Sequence, residues 1–122
     1  MKNLVAFFEI PAADFDRAVK FYETILSCKL NAMGCQTEKM AFFPEENGCC
    51  QGAVSWTKGF NPSKDGVLVS LSVEDMEATL SAIEKNGGTI TRPKTKIEAE
   101  GRGYFALFID SEGNRVGLYS DN

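Results

Sequence analysis

The sequence predicts an α+β fold made of two βαβββ modules, in which a curved, cup-like mixed sheet carries its helices on the outer face. Three observations predict it. An amphipathic helix pattern occurs once in each half of the chain, a short apolar strand-like run precedes each helix, and three shorter extended segments follow each one. The repeat lies in the order of elements more than in the identity of residues.

The elements follow in order. Leu4 to Ile10 is a short apolar run ending at Pro11, which suits a strand. The stretch ADFDRAVKFYETILS then offers Asp14 as a helix cap and places Phe15, Ala18, Val19, Tyr22, Ile25 and Leu26 at helical spacing. Extended segments follow at about Leu30 to Met33, Lys39 to Phe43 and Gln51 to Trp56, with a turn signal at Asn47-Gly48. Asn61 to Gly66, NPSKDG, reads as a linker, after which VLVSLSV, residues 67–73, restarts the pattern as a strand. The second helix has Asp75 or Ser72 as its cap, Met76, Leu80 and Ile83 on one face, and Gly87-Gly88 as its stop. Thr89 to Ile97, Tyr104 to Ile109 and Arg115 to Tyr119 complete the second set of strands. The whole chain, 1–122, is thus expected to be one domain, with module 1 over about 1–60, the linker over about 61–66 and module 2 over about 67–122.

Each such module has a sheet with one face under its helix and the other face bare. Two modules side by side would curve the bare faces into a shared cup, the natural place for a ligand. Strand alternation puts Phe8 and Ile10 on one face and Phe7 and Glu9 on the other, so a helix over Phe8 and Ile10 turns Glu9 into the cup.

Composition narrows the chemistry. The chain is 43% hydrophobic and 25% charged, a globular balance, and its formal charge is −4 with no concentration of lysine or arginine. Nucleic acid is therefore not an expected partner. No apolar run approaches a membrane span, and the first residues lack the pattern of a signal peptide, so a cytoplasmic protein is expected. Cys28, Cys35, Cys49 and Cys50 form no C-x-x-C pair and read as reduced thiols. Histidine, the commonest metal ligand and the usual base near neutrality, does not occur at all. Any catalysis must rest on carboxylates, tyrosines, thiols or backbone groups.

Several stretches together resemble one known family. FEIPAADFDRAVKFYETIL looks like the first strand and helix of the vicinal oxygen chelate superfamily, the glyoxalase, bleomycin-resistance and dioxygenase fold. VEDMEATLSAIEKNGG looks like its second helix, and FIDSEGNRVGLYS like its closing hairpin. In that hairpin Asp110, Gly113 and Asn114 also suit a tight turn on physical grounds, which marks the fold without implying catalysis. Metal-dependent members of the family carry ligands on the first and last strand of each module. Carried onto this chain, three of those positions fall on Phe7, Leu68 and Gly117, and the fourth lies within Cys49 to Trp56, where Gln51 and the cysteines are the only donors considered. A divalent cation wants several oxygen or imidazole ligands. No cofactor is therefore expected. Gly117, a glycine inside a strand, reads as an emptied site or as the close approach of another group.

The resemblance implies three kinds of function. The first is metal-independent binding of a small molecule, cationic or aromatic, in the cup, with Phe7, Glu9, Phe42, Trp56, Arg102, Tyr104 and Tyr119 as candidate ligand contacts. The second is a metal-free isomerase or lyase in which Glu9 acts as base and Arg102, between two glycines, closes over an anionic group. A metal-dependent glyoxalase- or dioxygenase-like enzyme with atypical ligands is a further alternative. The third kind is an interaction module whose cup is filled by its own side chains. A homodimer is expected, because the fold leaves strand edges that want partners.

Overall fold

Asp14 and Asp75 set where the two helices begin, since each side chain accepts a hydrogen bond from the backbone N–H three residues on, Arg17 and Ala78 respectively, at 3.1 Å. The structure is a computed structural model and describes residues 4–99 and 101–122. In chain order it contains β1 (Phe8–Pro11), α1 (Phe15–Leu26), β2 (Asn31–Gly34), β3 (Glu38–Phe42), β4 (Gly52–Thr57), β5 (Ser70–Ser72), α2 (Met76–Lys85), β6 (Thr89–Lys96), β7 (Tyr104–Ile109) and β8 (Arg115–Ser120). The α+β fold of two βαβββ modules expected from the sequence is present, as two four-stranded sheets that are not joined into one. Their orders are β1-β4-β3-β2 and β5-β8-β7-β6, with the first pair of each sheet parallel and the others antiparallel. No described helix is long and apolar enough to cross a membrane.

The helices stop for local reasons. Ser27, after α1, adopts the left-handed conformation at φ 51°, and the Cys28 N–H returns to the Glu23 carbonyl. After α2, Gly87 has φ +95° and the Gly88 N–H returns to the Ile83 carbonyl, so the expected Gly87-Gly88 stop is present. Asp75 rather than Ser72 is the cap, because Ser72 is still in β5. Asn47 and Gly48, both at positive φ, make the turn before β4.

Two strands are shorter than the sequence suggests. The apolar run from Leu4 is hydrogen-bonded as a strand only from Phe8, and the run from Val67 only from Ser70. Leu4 is 88% exposed and Val67 93% exposed. A strand extends only where a neighbour pairs with it, and β1 and β5, at sheet edges, pair with their single neighbours only from Phe8 opposite Gly52 and from Ser70 opposite Gly117.

One core joins both modules. Phe21 packs its ring edge-on to Tyr22 and also lies 6.2 Å from Phe108 of β7, while Tyr22 meets Phe43 at 5.8 Å. Helix α1 therefore touches helix-side residues of both sheets. Phe21, which the helical spacing did not single out, is one of its most buried side chains.

A polar latch fixes the second hairpin against the start of α1. The Tyr22 hydroxyl donates to Asp110 Oδ2 at 2.6 Å, and Asn114 donates to the same oxygen at 3.0 Å and to the Pro11 carbonyl at 2.8 Å. Asp110 Oδ1 accepts from the N–H groups of Glu112 and Asn114, and Asn114 Oδ1 accepts from Ser63 in the linker. Glu112, with only 1% of its side chain exposed, accepts from the N–H groups of Ala13 and Asp14 and from Arg17 Nε at 2.7 Å. Burial, and then the Asp110 carboxylate, hold the Tyr22 hydroxyl well above the usual phenol range, so it remains a donor. Desolvation pushes the Glu112 carboxyl up, but hydrogen bonds from Arg17, the Asp14 N–H and Ser111 outweigh it and leave the group below the ordinary carboxylate range. The hairpin's turn residues thus join one module to the other.

Candidate functional site on the bare sheet faces

The bare face of the first sheet is built by register. Because β1 runs parallel to β4, with Glu9 opposite Ala53 and Pro11 opposite Ser55, the side chains of Glu9, Ala53 and Ser55 share one face. Antiparallel pairing of Phe42 with Ala53 and of Met40 with Ser55 brings Phe42 and Met40 to that face, and Met33 of β2 follows. Phe7, just before β1, stacks its ring 5.9 Å from Phe42 in a tilted pair. The result is an apolar surface with one polar pair in it. The Ser55 hydroxyl donates to Glu9 Oε1 at 2.8 Å, and Ser55 itself is buried.

The second sheet has a corresponding face. Ser70 lies opposite Gly117 and Leu107 opposite Gly117, while Ser72 and Phe105 flank Tyr119. The Tyr119 hydroxyl donates to Asp121 at 3.0 Å, and the Arg92 guanidinium stands 5.5 Å from the Phe105 ring centre. A Cβ on Gly117 would come within 2.5 Å of Ser70 Oγ and 3.6 Å of Leu107 Cδ2. The Ser70 side chain of the paired edge strand therefore occupies the space beside the glycine.

The structure separates the sequence candidates into groups. Phe7, Glu9 and Phe42 lie together on the first bare face, and Tyr119 lies on the second. Trp56 and Tyr104 belong to the opposite, helix-covered faces. Trp56 shares its face with buried Val54, and Lys39 Nζ sits over both its ring and that of Phe15 on α1, at 5.5 and 6.0 Å. Tyr104 packs on the core beneath Lys94, whose Nζ is 4.7 Å from the ring centre and 3.9 Å from Glu77 of α2. Arg102 is in the exposed loop between β6 and β7, where its N–H bonds the Ala99 carbonyl.

Pairing also resolves the fourth position that the sequence left within Cys49 to Trp56. Glu9 follows Phe7 by two residues as Ser70 follows Leu68, and Ser70 pairs with Gly117 as Glu9 pairs with Ala53. Ala53 is therefore the counterpart of Gly117. The positions that the family resemblance implies would thus fall on Phe7, Ala53, Leu68 and Gly117, four side chains with no donor atom for a divalent cation. Among the described residues no three His, Cys, Asp or Glu side chains cluster as a metal site. Ser55 and Ala53 escaped sequence reasoning because only the parallel pairing of β1 with β4 puts them beside Glu9.

The thiols differ in setting. Burial pushes the Cys28 thiol up, while the hydrogen bond with Thr37, at 3.2 Å, draws that of exposed Cys35 down.

With this geometry in hand, the comparison with known families is decisive. The Glyoxalase/Bleomycin resistance protein/Dioxygenase superfamily matches residues 4–118. The chain belongs to this superfamily. A glyoxylase-like domain-containing protein of Didymella fabae is 34% identical over 113 residues, 87% of this chain and 84% of that protein. The lactoylglutathione lyase of Haemophilus influenzae is 25% identical over 122 residues, 86% of this chain and 90% of the enzyme. Among solved structures, glyoxalase I of Zea mays in its E144Q form superposes with a TM-score of 0.71 at 19% identity, over 95% of this chain. This chain spans 46% of the length of that maize protein. The likeness to the maize structure shows the glyoxalase-superfamily fold that the two modules share.

Proposed function

We propose that this member of the glyoxalase superfamily binds a small molecule on its bare sheet faces without a metal at the family's ligand positions. The observation that carries the reading is the pairing of an apolar face, Phe7, Phe42 and Met40, with a single hydrogen-bonded carboxylate at Glu9. An aromatic floor with one anionic group suits a flat or cationic ligand. The exposed apolar segments before β1 and β5, each beside an edge strand, support a homodimer in which a second copy covers them. The reduced-thiol reading of the four cysteines favours a cytoplasmic setting.

Two measurements test this. Elemental analysis of the purified protein after incubation with Zn, Ni, Fe, Mn and Co is expected to find no stoichiometric metal. One tightly bound equivalent would overturn the reading and direct mutagenesis to Glu9, Gln51, Cys49 and Cys50. A thermal-shift screen of aromatic and cationic compounds is expected to find ligands that stabilise the protein, with the shift reduced in Glu9→Gln. Ligands that stabilise Glu9→Gln equally would remove Glu9 from the site.

A second reading, a metal-free lyase or isomerase, is favoured by the position of Glu9 and by the similarity to a lactoylglutathione lyase. In it the Glu9 carboxylate, oriented by the Ser55 hydroxyl, takes the C–H proton from a hydroxyl-bearing carbon next to a carbonyl and returns it to the carbonyl carbon, while the hydroxyl proton passes to the former carbonyl oxygen. Turnover of lactoylglutathione by the metal-free protein, lost in Glu9→Gln while the fold is kept, is the expected sign. Full activity in that variant would exclude Glu9 as the base.

A further inference from the structure

The two modules repeat one plan, but the junctions between them are unequal. At one junction the hairpin of module 2 is latched to the start of α1 through Asp110, Glu112 and Asn114. Among the described residues the counterpart hairpin of module 1 and the start of α2 form no such latch, and between Pro44, Glu46 and Gln51 on one side and Glu74, Asp75 and Ala78 on the other lies an open cleft of about 800 Å³. Phe7, Glu9 and Phe42 of the first bare face do not line this cleft, whose floor is made by the helix-side residues Phe8, Ile25, Phe43, Leu71 and Val73 and which reaches Ser70 and Ser72 at the edge strand β5.

The charged side chains that line the cleft have one sign, and they face the N-terminal end of α2, whose partial positive backbone charge Glu74 and Asp75 offset. Glu46, Glu74 and Asp75 stand on its rim, and no lysine or arginine lines it among the described residues. Residues Thr24 to Cys28, the C-terminal end of α1, form one wall, and the last turn of that helix has no basic residue. The backbone carbonyls at a helix C-terminus carry partial negative charge. Beneath the rim, the rings of Phe8 and Phe43 lie 5.8 Å apart and present aromatic surface to the same space. Apolar floor, aromatic surface and acidic rim together match a cation with a hydrocarbon or aryl body.

We propose that this inter-module cleft is a second ligand site, one that takes an organic ammonium ion with its apolar body on Phe8, Phe43 and Leu71 and its charge toward Glu46, Glu74 and the end of α1. The test is an NMR titration of the ¹⁵N-labelled full chain with three probes of equal shape, 2-phenylethylammonium, 2-phenylethanol and phenylacetate. The ammonium is expected to move the amides of residues 24–28 and 70–75, with the alcohol bound at least about threefold more weakly and the acid giving no shift. The double variant Glu46→Gln, Glu74→Gln, both exposed, is expected to weaken the ammonium about three- to tenfold while keeping the wild-type spectrum elsewhere. Glu9→Gln, on the other face, is expected to leave it unchanged, which separates this site from the one under Proposed function. No movement of these amides at millimolar ammonium, equal response to all three probes, or shifts confined to the Glu9 face would overturn the proposal.

Discussion

Tyr22 shows how one hydroxyl ties the two modules. It is fully buried and its partner Asp110 is in the other module, so its removal leaves one acceptor of a buried carboxylate network short of a donor. Tyr22→Phe is expected to lower stability by about 1–2 kcal/mol, read from urea unfolding, with no change in the shape of the far-UV spectrum. An unchanged midpoint would mean that water replaces the hydroxyl without cost. Glu112 makes the latch sensitive to acid. Its carboxyl titrates lower in the folded protein than in the unfolded chain, so the stability it contributes is fully present above the ordinary carboxylate range and is lost as pH falls through the depressed folded value. Wild-type protein should therefore lose stability below about pH 4.5 more steeply than Glu112→Gln, which starts lower but has no carboxyl there to protonate. Parallel pH profiles for the two proteins would show that Glu112 does not carry this sensitivity.

At the scale of elements, two strand glycines are expected to behave differently. Gly52 in β4 lies under the ring of Phe8, whose carbons would be 2.5–2.6 Å from an added Cβ. That ring is part of the helix-side packing, so Gly52→Ala is expected to cost about 1–3 kcal/mol by overpacking. Gly117→Ala meets chiefly the hydroxyl of Ser70, which can rotate away, and is expected to cost less than about 1 kcal/mol. Thermal unfolding of the two variants side by side checks the contrast, and equal losses would sink it. The strands themselves show which elements are legible in a sequence. Helices α1 and α2 could be placed by cap and periodicity because their hydrogen bonds are internal, whereas β1 and β5 came out shorter than their apolar runs because strand length depends on what lies alongside.

For the whole molecule, the shared core and the latch imply that the modules unfold together. Trp56, the chain's single tryptophan, lies in module 1, while far-UV dichroism reports both modules. Coincident transitions by fluorescence and dichroism are expected, and an earlier fluorescence transition would show that module 1 opens independently. Sedimentation at several concentrations is expected to find a dimer, and replacement of Val67 and Leu68 by serine should shift it toward monomer. A monomer at every concentration would leave those apolar segments unexplained by self-association.

The sequence by itself determined the α+β class, the two-module order, both helices with the cap of the first and the stop of the second, the closing hairpin and the absence of histidine, because each depends on residues close along the chain. It also placed Phe7 and Glu9 on one face through alternation. Tertiary structure alone decided that Trp56 and Tyr104 face the helices, that Ser55 holds Glu9, that Ala53 is the partner position of Gly117, and that Glu112 holds the start of α1 from nearly a full chain length away. Those facts rest on strand pairing and on the docking of one module against the other. Pairing register is set by contacts between distant segments, and a shift of one residue would exchange every face, so no local pattern encodes it.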